Sequence, residues 1–526
     1  MMQPAQVDAV SPPRSSLSEP PTSEGRVAPP DDANRELVAR VHPPAWRNPE
    51  PAAKYDLLVI GGGTAGLVSA VGAAGLGARV ALVERHLLGG DCLNTGCVPS
   101  KALLRSARAV GDIRRAASLG VTADHVKIDF STVMRRMRQR RAGIARHDSA
   151  ERLQASGVDV FFGIASFADE RTVMVDGHRL RFRRAVIATG GRPTAPPVPG
   201  LDAAPFLTNE TIFSLTDLPR RLLVIGAGPI GCELAQAFAR FGSQVTVFDL
   251  APQVLPREDA DAAALVRRSL ELDGVRFELG VRLDRVDTIG DEVSIHYTRS
   301  AESRVEGGSV PGDVLLVAAG RAPNIEGLNL EAAGITASKQ GVTVNERLQT
   351  SNPRVYASGD VCSRYQFTHA ADAMSRIVIQ NALFYGRRKA SALTIPWVTF
   401  TDPEVAHVGV SESDVRQSDG WLRTITVPLS DIDRAVVDDE TDGFVRVHHD
   451  KGRLRGCTIV AAHAGEMIAE AVYVLTHGGA LSALSSTIHP YPTQAEALRK
   501  AGDMYRRQSL TPRVRKWLVR YFAWTR

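Results

Sequence analysis

Residues 89–101 read Gly-Gly-Asp-Cys-Leu-Asn-Thr-Gly-Cys-Val-Pro-Ser-Lys and hold the two cysteines most able to do chemistry, Cys92 and Cys97. Thiol–disulfide exchange needs an attacking and a resolving thiol within bonding reach, and this spacing provides both. The thiolate is the working species, and its pKa falls at a helix N-terminus. Val98–Val110 has a helical pattern after Pro99, which predicts that Cys97 sits near such a terminus. A metal site fits less well. The spacing is not C-x-x-C and no second Cys/His cluster completes a tetrahedral set, so no metal ligands are assigned. Cys232, Cys362 and Cys457 read as isolated small hydrophobes destined for the core.

Two glycine loops flank this segment. Tyr55–Ile60 is a short apolar run leading into Gly61-x-Gly63-x-x-Gly66, then a helical stretch, then the strand-like Arg79–Glu84. Arg221–Ile225, Gly226-x-Gly228-x-x-Gly231 and Gln244–Asp249 repeat that order. Gly61 to Glu84 spans 84 − 61 = 23 positions, and Gly226 to Asp249 spans 249 − 226 = 23. In each β-α-β unit the first glycine makes the turn, the second admits a pyrophosphate and the third lets helix and strand pack. The pyrophosphate meets the helix N-terminus, and the terminal acid meets ribose hydroxyls. Two units predict two dinucleotide sites. A carboxylate at 249 repels a 2′-phosphate, and Leu250 and Ala251 supply no arginine, so NADH is expected over NADPH, with Arg257 in the following loop as the residue that could reverse this.

Three further strands end at turns or acids: Ala185–Gly190, with Thr189 and Gly190 at its end; Val314–Gly320, before Arg321; and Val355–Asp360. From Ile395 the runs alternate, as in Phe444–His448, and helices are expected at Gly465–His477 and Pro492–Gly502. The predicted fold class is α/β: two Rossmann-like dinucleotide-binding domains plus a C-terminal α+β domain. Boundaries are placed at 1–54 (a disordered or loosely ordered tail), 55–205 and 321–390 (the two parts of the first nucleotide domain), 206–320 (the second), 391–510 and a basic aromatic tail at 511–526.

With 526 residues, several domains are required. Five cysteines with a single close pair exclude a secreted disulfide framework and favour a reducing, cytoplasmic compartment. The net charge of +5 is spread over short arginine runs, which argues against nucleic acid. No apolar run approaches the ~18–20 residues of a membrane helix. The Pro/Ser-rich start, through about Pro30, has no apolar core of a secretory signal and reads as disordered.

Taken together, residues 55–510 resemble the pyridine nucleotide-disulfide oxidoreductases, which include lipoamide dehydrogenase, glutathione reductase and mercuric reductase. The segment Gly89–Lys101 is closest to the lipoamide dehydrogenase and mercuric reductase form. The resemblance implies an FAD flavoprotein acting as a homodimer, with electrons passing from NADH through flavin to the Cys92–Cys97 pair. Gly61, Gly63, Gly66 and Glu84 would hold the adenosine half of FAD, with Thr189 and Gly190 also at the cofactor; Gly226, Gly228, Gly231 and Asp249 would hold NADH. Cys92 would attack substrate and Cys97 would lie against the flavin. Lys101 would face the flavin and pair with Glu233. Gly320 and Arg321 would link domains at the cofactor, and Asp360 would meet the ribityl–phosphate region.

The C-terminal signature departs from the family. Disulfide reductases place a His directly before Pro-Thr as acid/base, reaching in from the partner subunit. Here the string is His489-Pro490-Tyr491-Pro492-Thr493-Gln494-Ala495-Glu496, so Tyr491 takes that position, Glu496 is kept and His489 lies two residues earlier. A phenol with pKa near ~10 accepts protons poorly at neutral pH. The expected activity is reduction of an external disulfide-type acceptor. Reduction of Hg(II) or another metal or quinone acceptor is a second reading, weakened because no cysteine follows Cys457; dihydrolipoyl dehydrogenase is a third, weakened by Tyr491. The tail Thr511–Arg526 mixes five basic residues with aromatics. The plainer expectation is a terminal helix docked on its own protein; peripheral contact with an anionic membrane is the alternative.

Overall fold

The computed structural model describes residues 27–301 and 304–526. One mixed sheet, one parallel sheet and one antiparallel sheet form the frame. In the first, Val158–Phe162, Val80–Glu84, Tyr55–Ile60 and His178–Ile187 run side by side, with Val355–Ala357 pairing the end of His178–Ile187. The chain therefore returns to this sheet after completing the second one, where Val275–Leu279, Gln244–Asp249, Arg221–Ile225, Val314–Val317 and Phe206–Leu207 lie in order. Strands buried on both faces need continuous apolar runs, and Tyr55–Ile60 and Arg221–Ile225 are such runs. The third sheet, from Trp397–Thr399 to Arg423–Pro428, is antiparallel and carries the helices Ala464–Thr476 and Glu496–Arg507. The two Rossmann-like units and the closing α+β domain are thus as expected.

The N-terminal reading needs correction. Residues 1–26 lie outside the described residues, but 27–54 are ordered rather than loose. Asp31 caps the helix Asp32–Val41 by accepting the Asn34 N–H at 2.9 Å. Leu37 and Val41, four apart, are fully buried. Arg138 Nε donates to Asp31 at 2.5 Å and Arg141 donates to the Asn34 side chain at 2.6 Å. The Asn48 amide then pairs with both backbone groups of Phe162 at 2.8 Å, capping the sheet edge. Prolines on either side obscured a helix with only three buried apolar residues, Ala33, Leu37 and Val41.

The other end also differs from expectation. Pro512–Thr525 is a helix, capped by Thr511, but none of its residues is buried, so it does not dock on its own chain. The helix expected from Pro492 starts at Glu496.

Candidate active site

A cavity of about 2840 Å³ runs between the sheets, and both glycine loops, both cysteines and the ends of all the singled-out strands open into it. Within each loop the glycines are required for different reasons. Gly61 has φ +106°, and a Cβ there would lie 2.4 Å from the Ala188 carbonyl oxygen. A Cβ on Gly66 would lie 1.7 Å from the Gly61 oxygen; Gly231 faces Gly226 in the same way at 1.9 Å. These positions serve helix–strand packing. Gly228 is different: its Cβ would meet nothing within 4 Å, and a Cβ on Gly63 would meet only the Gly90 Cα at 3.6 Å. Their side chains would enter open cavity at a helix N-terminus, where a diphosphate would lie. This cradle fits a dinucleotide at both loops.

The two terminal acids are held alike. Glu84 accepts the Gly62 and His86 N–H groups at 2.6 and 2.7 Å. Asp249 accepts those of Ala227 and Ala251 at 2.6 and 2.7 Å. Each carboxylate therefore ties the glycine loop to the turn after its own strand, and its remaining lone pairs can meet ribose hydroxyls. Burial pushes Glu84 up, opposed by its two backbone donors. Arg257 lines the same cavity as Asp249.

Cys97 is the first residue of the helix Cys97–Arg115, six residues longer than expected, and Cys92 lies in the short helix Gly90–Asn94. The two cysteines are not joined, and their thiols hydrogen-bond to each other. That bond from Cys92 is the main cause holding Cys97 down to about 6; Thr368, at 3.5 Å, and the Lys101 charge assist against burial. The Cys92 thiol is pushed up, by donating to Cys97 and then by burial. The pair thus has one ready thiolate, at the helix N-terminus.

Lys101 and Glu233 meet at 2.7 Å, and the other Glu233 oxygen accepts the Phe400 N–H at 2.8 Å. The ammonium also lies 4.5 Å over the Phe400 ring. Arg321 donates to Asp91 at 2.6 Å and to the Gly191 carbonyl at 3.2 Å, with Asp360 at 3.7 Å. Burial raises Asp360 to about 6, against the pull of Arg321. Thr189 and Gly190 are held by Asn324: Thr189 Oγ1 donates to its carbonyl at 2.6 Å, and the Asn324 N–H reaches the Gly190 oxygen at 2.9 Å. Gly320 lines the same cavity.

The C-terminal residues do not join this site within one chain. His489, Tyr491 and Glu496 are absent from the cavity wall. His489 Nε2 bonds Glu470 at 2.8 Å, the Tyr491 hydroxyl donates to Asp433 at 2.9 Å, and Glu496 pairs with Arg499. The Asp433 contact pushes the Tyr491 phenol up.

Sequence reasoning missed several residues. Thr368 reaches Cys97 from 271 positions away and carries no motif. Asp91, the Arg321 partner, stood beside Cys92 in the same motif and was legible there. Asn34 and Arg141 close the end of the cavity near Glu84, and Arg141 Nε is buried there without a partner. Cys362, expected in the core, also lines the cavity, whereas Cys232 and Cys457 are fully buried.

Residues 55–375 match the pyridine nucleotide-disulphide oxidoreductase family, and residues 395–502 match its dimerisation domain. Mercuric reductase of Staphylococcus aureus is 35% identical over 450 residues, covering 85% of this chain and 82% of that one. Dihydrolipoyl dehydrogenase of Thermus scotoductus is 34% identical over 467 residues, covering 87% and 98%. Among solved structures, the HOCl-induced flavoprotein disulfide reductase RclA from Escherichia coli superposes with a TM-score of 0.76 at 30% identity, covering 85% of this chain and 99% of that one.

Proposed function

Because this chain belongs to the pyridine nucleotide-disulphide oxidoreductases, a family of FAD-dependent enzymes working with NAD(P)H, we propose that it uses NADH to reduce an external disulfide-type acceptor through Cys92 and Cys97. The observation carrying this reading is the polarised thiol pair: a Cys97 thiolate, with Cys92 as its donor, beside the Lys101–Glu233 ion pair. FAD held at the first glycine loop would supply a two-electron carrier between nicotinamide and thiols.

The overall balance is NADH + H⁺ + RSSR giving NAD⁺ and two RSH. Cys92, once deprotonated, attacks one acceptor sulfur; a mixed disulfide forms and the first thiol leaves with a proton. Cys97 then attacks Cys92 Sγ, closing the Cys92–Cys97 disulfide and releasing the second thiol. Cys92 needs a base, because burial and the neighbouring thiolate hold its proton. Tyr491 serves poorly, with its phenol raised by Asp433. His489, which the second subunit of a homodimer would bring, is the other candidate; its Nε2 faces Glu470 at 2.8 Å and its Nδ1 the Thr487 carbonyl at 3.1 Å, so it must give up one of these contacts to take a proton. The preference for NADH follows from Asp249, whose charge opposes a 2′-phosphate.

Reduction of Hg(II) stands as the second reading, favoured by Tyr491 at the acid/base position, since metal reduction at a dithiol makes less demand on a proton shuttle. NADH oxidation by wild type and Cys92→Ser, with oxidised lipoamide or with Hg(II) plus excess thiol, separates the two. Lipoamide turnover lost in the variant supports the disulfide reading. Turnover with Hg(II) alone transfers the assignment to metal reduction, and turnover that survives Cys92→Ser rejects both.

A further inference from the structure

No residue of the helix Pro512–Thr525 lines the cavity, and none is buried. Trp524 is 84% exposed and Trp517 63%. Trp517 stacks on Tyr521, which meets Phe522 edge-on, so the aromatics form one patch. At ~100° per residue, Trp524, Trp517, Tyr521, Val514, Leu518 and Phe522 fall on one face. Arg513, Lys516 and Arg520 fall along one border of that face, Arg515 and Arg526 along the other, and the segment has no acid. An exposed apolar patch of this kind on a folded chain marks an interaction surface.

We propose that this helix lies on an anionic lipid surface, its aromatic face in the headgroup boundary and its basic borders on lipid phosphates. The charge pattern selects this occupant: two basic borders and no acid suit a surface of one sign, whereas a protein partner would need a matching acidic groove. The matched dimerisation domain ends at residue 502, so the helix stands outside the module that joins two copies. At ~1.5 Å per residue it is too short to cross a hydrocarbon core of ~30 Å, and no helix among the described residues is long and apolar enough to do so. It lies on the surface rather than spanning it.

The test is co-sedimentation of the full-length, FAD-loaded protein with vesicles of phosphatidylcholine plus phosphatidylglycerol, or of phosphatidylcholine alone. Wild type should pellet with the anionic vesicles and be released by salt. Trp517→Glu/Phe522→Glu should abolish pelleting, and Arg513→Gln/Lys516→Gln/Arg520→Gln should weaken it ~100-fold, at ~5-fold per charge. Both variants should keep wild-type NADH oxidation, since no residue of the helix lines the cavity. Equal pelleting of wild type and the aromatic variant overturns the proposal. So does absence of pelleting, and a variant that changes only the mass in light scattering would identify the helix as a contact between copies.

Discussion

The Lys101 ammonium and the Glu233 carboxylate, 132 positions apart in sequence, meet at 2.7 Å and lock the thiol-bearing helix to the helix that opens the second dinucleotide unit. The pair is asymmetric: Glu233 is 6% exposed and Lys101 36%. Glu233 has a second donor in Phe400; Lys101 has the ring beneath it. Removing the lysine leaves a buried carboxylate short of a partner, while neutralising the glutamate leaves a lysine that water can reach.

Lys101→Met should therefore cost more stability than Glu233→Gln, by ~1–3 kcal/mol, the penalty of an unsatisfied buried charge. Both should slow NADH-driven bleaching of the bound flavin ~10–100-fold, on the proposed reading that the pair lies at the nicotinamide end of the site. Thermal melts and stopped-flow absorbance check the two halves. Equal melting temperatures would contradict the asymmetry.

The Cys97 thiolate should make carboxamidomethylation of the reduced enzyme rise with pH through about 6, where an ordinary thiol rises near ~8.5. The folded value lies below the unfolded one. The thiolate's contribution to stability is therefore fully present above the unfolded pKa and is lost as pH falls toward 6. In Cys92→Ala the main cause of the shift is gone and burial remains, so the alkylation profile should move to higher pH. A profile that stays at about 6 would assign the shift to Thr368 and Lys101 instead.

Asp249 should set the choice of nicotinamide. Asp249→Ala removes a charge that opposes a 2′-phosphate, and the ratio of kcat/KM for NADPH to that for NADH should rise ~10–100-fold. Because Asp249 also ties Ala227 to Ala251, the variant should melt lower as well. An unchanged ratio alongside a lower melting temperature would reduce Asp249 to a loop tie.

The N-terminal helix should govern retention of FAD. Leu37 is fully buried, and its helix walls the end of the cavity at Glu84. Leu37→Ala should cost ~2–5 kcal/mol locally and speed the appearance of free-flavin fluorescence on dilution. Release at the wild-type rate would show that the helix packs there without closing the cavity.

At the C-terminus, Tyr491→His restores an imidazole at the family's acid/base position. Turnover with a disulfide acceptor should rise ~10²-fold, and His489→Asn in the wild-type background should lower it. Equal rates in all three proteins would mean that neither side chain reaches the thiols in the dimer.

The glycine loops, their 23-residue offset to Glu84 and Asp249, and the Cys92–Cys97 pair were legible in the chain because each is a local device. A turn with φ +106° at Gly61 and a helix starting at Cys97 are set by sterics and hydrogen bonds within a few residues. Family likeness, rather than spacing, supplied the expectation that Lys101 pairs with Glu233. What the tertiary structure alone decided lies at long range. Thr368 at Cys97, Asp91 on Arg321 across 230 positions, and Arg141 on Asn34 across 107 depend on how sheets and helices pack. The same holds for the two ends of the chain. Asp32–Val41 and Pro512–Thr525 are both short capped helices, and whether such a helix is buried depends on what surface stands opposite. Helix Asp32–Val41 meets Arg138 and Arg141 and buries Leu37 and Val41, while Pro512–Thr525 buries no residue on its own chain. Hydrophobic periodicity specifies that a face seeks cover, and only packing determines which surface provides it.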